Sequence, residues 1–163
     1  MKKLIIAAMI AMMPVLKASS QDVYNELIRS AAATAEDESN NLEVRKIATF
    51  KYDALNYIGN KVRVEVVKRQ DDTAYFDEAI KLLNGQALAL HEFIDRFTRE
   101  WQNARAKDRE AVIKKWSDAA VSCPLYQDSN TDYTLAYYNN MNYITRFPLN
   151  TDWVTALENV NAR

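Results

Sequence analysis

The sequence FDEAIKLLNGQALALHEFIDRFTREW, residues 76–101, decides the fold class of this chain. Large apolar residues recur in it at alternating steps of four and three, which keeps them on one side of an α-helix. They are Phe76, Ile80, Leu83, Ala87, Leu90, Ile94, Phe97 and Trp101, and the stripe is widened by Ala79, Leu82, Ala89 and Phe93. A stripe this wide predicts a central helix with two neighbours, and Gly85 within it predicts a close helix approach.

Helical periodicity continues towards the N-terminus. One helix is predicted from Asp22 to about Ala35, and another from a capping box at Asn40 and Glu43 to about residue 69. The predicted buried side of this second helix consists of Ile47, Phe50, Ala54, Tyr57, Ile58 and Val62. The valines at 62, 64 and 66 alternate as in a β-strand, but no partner strand is visible, so we favour a continued helix.

Towards the C-terminus the pattern predicts a fourth helix over about residues 108–122. A short helix is predicted over residues 133–142, followed by a loop containing residues 147–148 and a last helix after residue 151. Residues 21–163 are therefore predicted to form one all-α domain. Its expected architecture is a bundle of four main helices with a short helical and loop C-terminal extension.

The amino-acid composition argues against a β-sheet fold, an intrachain disulfide and a nucleic-acid partner. Two glycines and three prolines provide little turn chemistry for a sheet, and Cys123 as the single cysteine excludes an intrachain disulfide. Acidic residues number 22 and basic residues 21, with no basic block, so nucleic acid is not an expected partner. No cofactor is expected either.

The first 20 residues resemble a signal peptide. Lys2 and Lys3 precede an apolar run from Leu4 to Leu16, and small residues then predict cleavage before Gln21. At about 1.5 Å per residue, this run is too short to span a hydrocarbon core of about 30 Å. We therefore expect a periplasmic or secreted protein that is not an integral membrane protein after cleavage.

Tyrosine and asparagine are concentrated near the C-terminus. Tyrosine combines an apolar ring with a hydroxyl, and asparagine both donates and accepts hydrogen bonds, a mixture suited to peptides or sugars. The candidate binding residues are Tyr126, Tyr133, Tyr137, Tyr138, Asn139, Asn140, Tyr143 and Trp153. The alternative is that the tyrosine rings simply lie against the helical bundle while their hydroxyls reach water.

Two further groups of residues match known kinds of site only in part, one a calcium loop and the other a catalytic dyad. Asp128, Asn130 and Asp132 have the spacing of the first ligands of a calcium loop, but the glycine and the closing glutamate are missing, so a polar loop with Asp132 as helix cap explains them equally well. His91 and Cys123 have the types required for a catalytic dyad, but no orienting third group is evident. We therefore assign no catalytic and no metal-binding residue.

Three short stretches carry a resemblance. Asp53-Ala54-Leu55-Asn56-Tyr57, Tyr137-Tyr138-Asn139-Asn140 and the stretch from Phe147 to Thr151-Asp152-Trp153 resemble small exported helical proteins of Bacteroidetes-type bacteria. The resemblance implies export and a helical fold and carries over no catalytic residue. The leading functional hypothesis is a non-enzymatic interaction module that contacts an envelope protein, peptide or glycan. The alternatives are a structural or chaperone-like envelope protein and, third, a small hydrolase.

Overall fold

A computed structural model describes residues 22–162. In this range the regular structure is helical, without a β-strand: α1 (Asp22–Glu36), α2 (Leu42–Lys68), α3 (Thr73–Asn103), α4 (Arg109–Val121), α5 (Thr131–Thr134) and α6 (Trp153–Asn161). A 3₁₀ turn at Ala106–Asp108 precedes α4. The all-α prediction is confirmed, and the predicted leader, residues 1–20, lies outside the described residues.

Helix α3 is central, as its wide apolar stripe predicts. It packs against four helices, α1, α2, α4 and α6, rather than the two neighbours predicted from the stripe. Helices α1, α2 and α3 contact one another, and so do α3, α4 and α6, but within residues 22–162 α2 does not contact α4. The fold therefore consists of two three-helix groups that share α3, and a simple four-helix bundle is not confirmed. None of the described helices has both the length and the apolar character to cross a bilayer.

An aromatic cluster fills the space between the two groups. Phe147, from the loop before α6, is fully buried, and its ring meets Phe50 of α2 edge-on at 5.6 Å and Phe97 of α3 at 5.0 Å. Phe93 meets Trp116 of α4 at 4.8 Å and Trp153 of α6 at 5.3 Å, again edge-on. Edge-to-face contacts of this kind add about 0.5–1.5 kcal/mol each beyond area burial. The C-terminal loop thus supplies part of the core.

The helical periodicity holds at most predicted positions. All six apolar residues predicted to face inward on α2 are buried, and so are Ile80, Leu83, Ala87, Leu90, Ile94, Phe97 and Trp101 on α3. Phe76, in the first turn of α3, is partly exposed, and Leu82 is exposed. Helix α2 continues to Lys68 and ends at Arg69, which decides the ambiguous valines in favour of helix: Val62 is buried and Val64 is exposed.

Several local predictions are corrected by side-chain hydrogen bonds. Asn41, not Asn40, caps α2, because its side chain accepts from the Val44 amide at 2.9 Å. Asn130, not Asp132, caps α5. The helix predicted over residues 133–142 ends at Thr134. Asn140 accepts from the Asn142 amide at 3.0 Å, a local turn that competes with helical hydrogen bonding.

The glycine that permits a close helix approach is Gly59 rather than Gly85. A Cβ placed on Gly59 would collide with the buried phenol of Tyr24 from α1, whereas a Cβ on Gly85 would meet nothing within 4 Å. The Tyr24 hydroxyl donates to the Leu55 carbonyl at 3.1 Å, so its ring is held against α2. The missing side chain at position 59 therefore determines how closely α1 and α2 pack.

Candidate functional site

The segment between α4 and α6, residues 122–152, is fastened to α2 by tyrosine and aspartate side chains. Asp128 accepts hydrogen bonds from the Tyr57 hydroxyl at 2.9 Å and from the Lys61 ammonium at 2.8 Å. The Lys61 contact, the Asn130 amide and the Tyr57 hydroxyl together lower the pKa of Asp128 to about 2. Burial and the hydrogen bond to Asp128 raise the pKa of Tyr57.

A second fastening lies four residues earlier on α2. The Tyr137 hydroxyl donates a hydrogen bond to the Asp53 carboxylate. Burial, followed by the contact with Asp53, raises the pKa of Tyr137, and burial also raises the pKa of Asp53. The Tyr137 ring packs edge-on against Phe50 at 5.1 Å and in a tilted arrangement against Tyr143 at 5.0 Å. The Tyr137 ring therefore packs within the fold, but its hydroxyl binds Asp53 instead of reaching water, unlike the alternative interpretation of the tyrosines.

The candidate binding residues differ in how far they are exposed to solvent. Trp153 is fully buried in the aromatic cluster and presents no ring to a partner. Tyr126 is half-buried, while Tyr133 is 53% exposed and lies 6.3 Å from the Tyr57 ring. Asn140 closes the turn before Asn142. Burial therefore removes Trp153 from any binding surface, while Tyr133 stays open to solvent.

Tyr138 and Asn139 line a cleft against α4. We name this space, of about 610 Å³, the α4 cleft. Residues 110–118 of α4 form one wall, and residues 138–146 of the loop form the other. Ala111, Ile113 and Met141 supply apolar surface, and Met141 is 70% exposed. The cleft is open to solvent and combines apolar walls with a few polar groups.

The charged residues of the α4 cleft are paired across or along its edge. Arg146, largely buried, donates to both carboxylate oxygens of Glu110, at 2.9 and 3.1 Å. This bidentate pair joins the loop to the start of α4. Lys114 contacts Asp118 at 2.6 Å, one turn further along the same helix. The edge of the cleft therefore presents both signs of charge.

One polar group in the α4 cleft has no protein partner. Ser117 lines the cleft and is 6% exposed, and its Oγ atom has no hydrogen-bond partner among residues 22–162. A buried hydroxyl without a partner costs about 1–3 kcal/mol, so such groups are uncommon in folded proteins. The Oγ atom itself is buried, so a ligand in the cleft would pair with it only after a small movement of the surrounding side chains.

The other predicted sites receive no support from the geometry. Asp128 is paired with Lys61, and Asn130 caps α5, so both are used within the protein fold. Within residues 22–162 no group of three or more His, Cys, Asp and Glu side chains is arranged to hold a metal ion. His91 contacts Lys51 and Asp95, whereas Cys123 donates to the carbonyls at the end of α4, so the two have different surroundings.

Apart from Tyr138 and Asn139, the residues that line the α4 cleft were missed in the sequence. Ser117 carried a signal, because it interrupts an inward face that otherwise consists of Val112, Ile113, Trp116, Ala119 and Ala120. Met141 and Arg146 carried none, because only the path of the loop brings them to α4.

Comparisons with protein-family models, with curated proteins and with solved structures found no match to this chain.

Proposed function

We propose that this chain is an exported, non-enzymatic binding protein that holds a peptide segment of another envelope protein in the α4 cleft. Export is proposed from the leader-like residues 1–20, and periplasmic or secreted location follows from it. The observation that carries the binding proposal is the α4 cleft itself, in which the partnerless Ser117 hydroxyl lies beside open apolar walls.

A peptide fits this chemistry better than a sugar. Peptide backbones offer donors and acceptors at regular intervals, which suits the Ser117 hydroxyl and the Asn139 amide. Ala111, Ile113 and Met141 suit an apolar side chain, and methionine adapts its shape to different partners. A sugar site would favour an exposed aromatic face, but Tyr138 is half-buried, and the more exposed Tyr133 is not among the residues that line the cleft.

Selection from a random peptide library tests the binding proposal. Peptides enriched on the purified protein would be titrated against Tyr138→Ala, Met141→Glu and the matched control Tyr133→Ala, which removes an exposed tyrosine outside the cleft. We expect the two cleft variants to weaken binding at least tenfold and the control to leave it unchanged. Failure to enrich any peptide, or equal affinity for all three variants, would remove support for the α4 cleft.

Export is tested separately. The full chain would be produced in a Gram-negative host and the N-terminus of the protein in each cell fraction determined by mass spectrometry. We expect an N-terminus at Gln21 in the periplasmic fraction or the medium. A protein retained in the cytoplasm with residues 1–20 intact would contradict the proposed location without bearing on the cleft.

A further inference from the structure

A second, smaller cleft lies between α1, α2 and α3, and none of its lining residues belongs to the segment 122–152. Its volume is about 200 Å³, and we name it the α1–α3 cleft. Ala31 of α1 and Ala48 of α2 lie at its wall with Leu27 and Ile47. Small side chains on facing helices leave room that longer ones would fill in a close-packed interior. This explains why a hollow persists where three helices meet.

One lysine lies at the wall of this cleft, whose lining also includes the polar residues Ser30, Thr34, His91 and Thr98. The Lys51 side chain is 17% exposed, and its ammonium lies 2.9 Å from Nδ1 of His91 and 3.3 Å from Oδ1 of Asp95. Lysine carries three N–H donors, and these two contacts within residues 22–162 use two of them. A third donor therefore remains for a ligand.

A hydroxyl in the same cleft also has no partner. Thr98 of α3 lines the α1–α3 cleft, and its Oγ1 atom is buried without a hydrogen-bond partner in the described part of the chain. Threonine hydroxyls both donate and accept, so Thr98 can bind a ligand oxygen atom that reaches the buried Oγ1 at the cleft wall. The cleft thus combines one cation, one free hydroxyl and an apolar wall.

We propose that the α1–α3 cleft binds a small monocarboxylate with a short apolar tail. The carboxylate would accept from the Lys51 ammonium and the Thr98 hydroxyl, and the tail would lie against Ala31, Ala48 and Ile47. An amine is disfavoured because Lys51 repels it. Any anion shares Lys51 with the Asp95 carboxylate, 3.3 Å from the ammonium, and a phosphate is disfavoured relative to a monocarboxylate because it brings more negative charge to the same pair.

Hexanoate and hexylamine are the matched probes, since they share a tail and differ in the charge of the head group. Both would be titrated into the purified protein by calorimetry, and residue-resolved NMR shifts would locate the bound probe. We expect saturable binding of hexanoate, with shifts centred on Ala31, Ala48 and Thr98, and at least tenfold weaker binding of hexylamine. Absence of saturable hexanoate binding at millimolar concentration, equal binding of both probes, or shifts confined to other regions would overturn the proposal.

Variants identify the head-group contacts. Lys51→Met keeps the apolar stem and removes the charge, and Thr98→Val removes only the hydroxyl. We expect hexanoate to bind at least tenfold more weakly to Lys51→Met and severalfold more weakly to Thr98→Val, and to bind unchanged to the control Lys68→Met, whose exposed lysine pairs with Glu65. Unchanged affinity in folded Lys51→Met would overturn the proposal. If that variant does not fold, the probe comparison and the NMR shifts on the unmodified protein still decide it.

Discussion

Tyr137 donates a hydrogen bond to Asp53, a residue 84 positions earlier in the chain. Four residues further along α2, Tyr57 donates in the opposite direction, to Asp128 of the C-terminal segment. Each partner thus supplies one donor and one acceptor, and α2 and the segment are joined at two points. Packing and hydrogen bonding within the fold therefore explain why this segment contains tyrosines such as Tyr137.

Loss of the Tyr137 hydroxyl should destabilise the protein. Tyr137→Phe keeps the ring against Phe50 and Tyr143 but leaves the partly buried Asp53 carboxylate without this donor, a loss of about 1–3 kcal/mol. Urea denaturation of the variant and the parent measures the difference in the free energy of unfolding.

The matched control for this change is Tyr133→Phe. Tyr133 is 53% exposed, so loss of its hydroxyl should change stability by less than about 0.5 kcal/mol. Equal stability of the two variants would show that the bond between Tyr137 and Asp53 does not fasten the segment.

Asp128 should make the free energy of unfolding fall as the pH is lowered into the acidic range. Its folded pKa of about 2 lies below the ordinary 3.8, so the native state keeps the charge to lower pH than the unfolded chain. The stabilisation is fully present above the ordinary pKa and is lost as pH falls through the folded value. Asp128→Asn should lose less stability than the parent over this window in a pH series of urea melts. Lys61→Met should behave similarly, because Lys61 is the main cause of the shift; a parent-like slope in both variants would contradict the assignment.

Asp53 should have the opposite effect, so that its contribution to the free energy of unfolding falls as the pH rises. Burial raises its folded pKa above the ordinary 3.8, so the native state binds the proton more strongly than the unfolded chain does. Its contribution is fully present below the ordinary pKa and is lost as pH rises through the folded value. Asp53→Asn should therefore lose less stability than the parent as pH rises through that range, measured in the same series of melts. A steeper loss in the variant would show that the hydrogen bond from Tyr137, rather than burial, dominates the pKa of Asp53.

The two glycines should respond oppositely to alanine. Gly85→Ala places a methyl group in open space within α3 and should stabilise by up to about 1 kcal/mol, the usual helix preference for alanine. Gly59→Ala should destabilise despite the same preference, because the new methyl group displaces the buried Tyr24 ring. Thermal unfolding of both variants compares them directly. Stabilisation by Gly59→Ala would mean that α1 is free to move away from α2.

Gln86 should be essential for the docking of α6. This residue of α3 is 3% exposed; its amide donates to Asp152 at 2.7 Å, and its carbonyl oxygen accepts from the Trp153 amide at 2.8 Å. Gln86→Leu leaves that buried amide without its partner, at a cost of about 1–3 kcal/mol.

Hydrogen exchange would show where the Gln86 variant loosens. We expect faster exchange in α6 than in α1, because only α6 loses a contact to this side chain. Gln102→Leu, at an exposed position near the end of α3, is the control and should exchange like the parent. Uniform acceleration across all helices would contradict a local role.

Local patterns in the sequence predicted most of the helices but not the details of their ends. The stripe from Ile80 to Trp101 and the inward face of α2 were correct because burial of a helix face follows from side-chain spacing within the helix. The caps at Asn41 and Asn130 were missed, because neighbouring asparagines and aspartates carry the same chemistry and only the backbone path selects between them.

The candidate site was predicted only in part. Tyr138 and Asn139 do line a cleft, but Trp153 of the same predicted set is buried in the core. A tyrosine or tryptophan suits either a core or a binding surface, because each combines a large apolar ring with a polar atom. Composition alone therefore could not separate the residues that fasten the segment from those that face solvent.

The sequence by itself determined that the described chain is helical and which side of α2 and α3 is buried, because spacing at 3.6 residues per turn is a local property. Only the tertiary structure decided that Phe147 enters the core, that Tyr137 meets Asp53, and that Ser117 and Tyr138 share a cleft. Those contacts join residues far apart in the chain, so they depend on the route of the loop between α4 and α6, which has no periodic pattern to predict it.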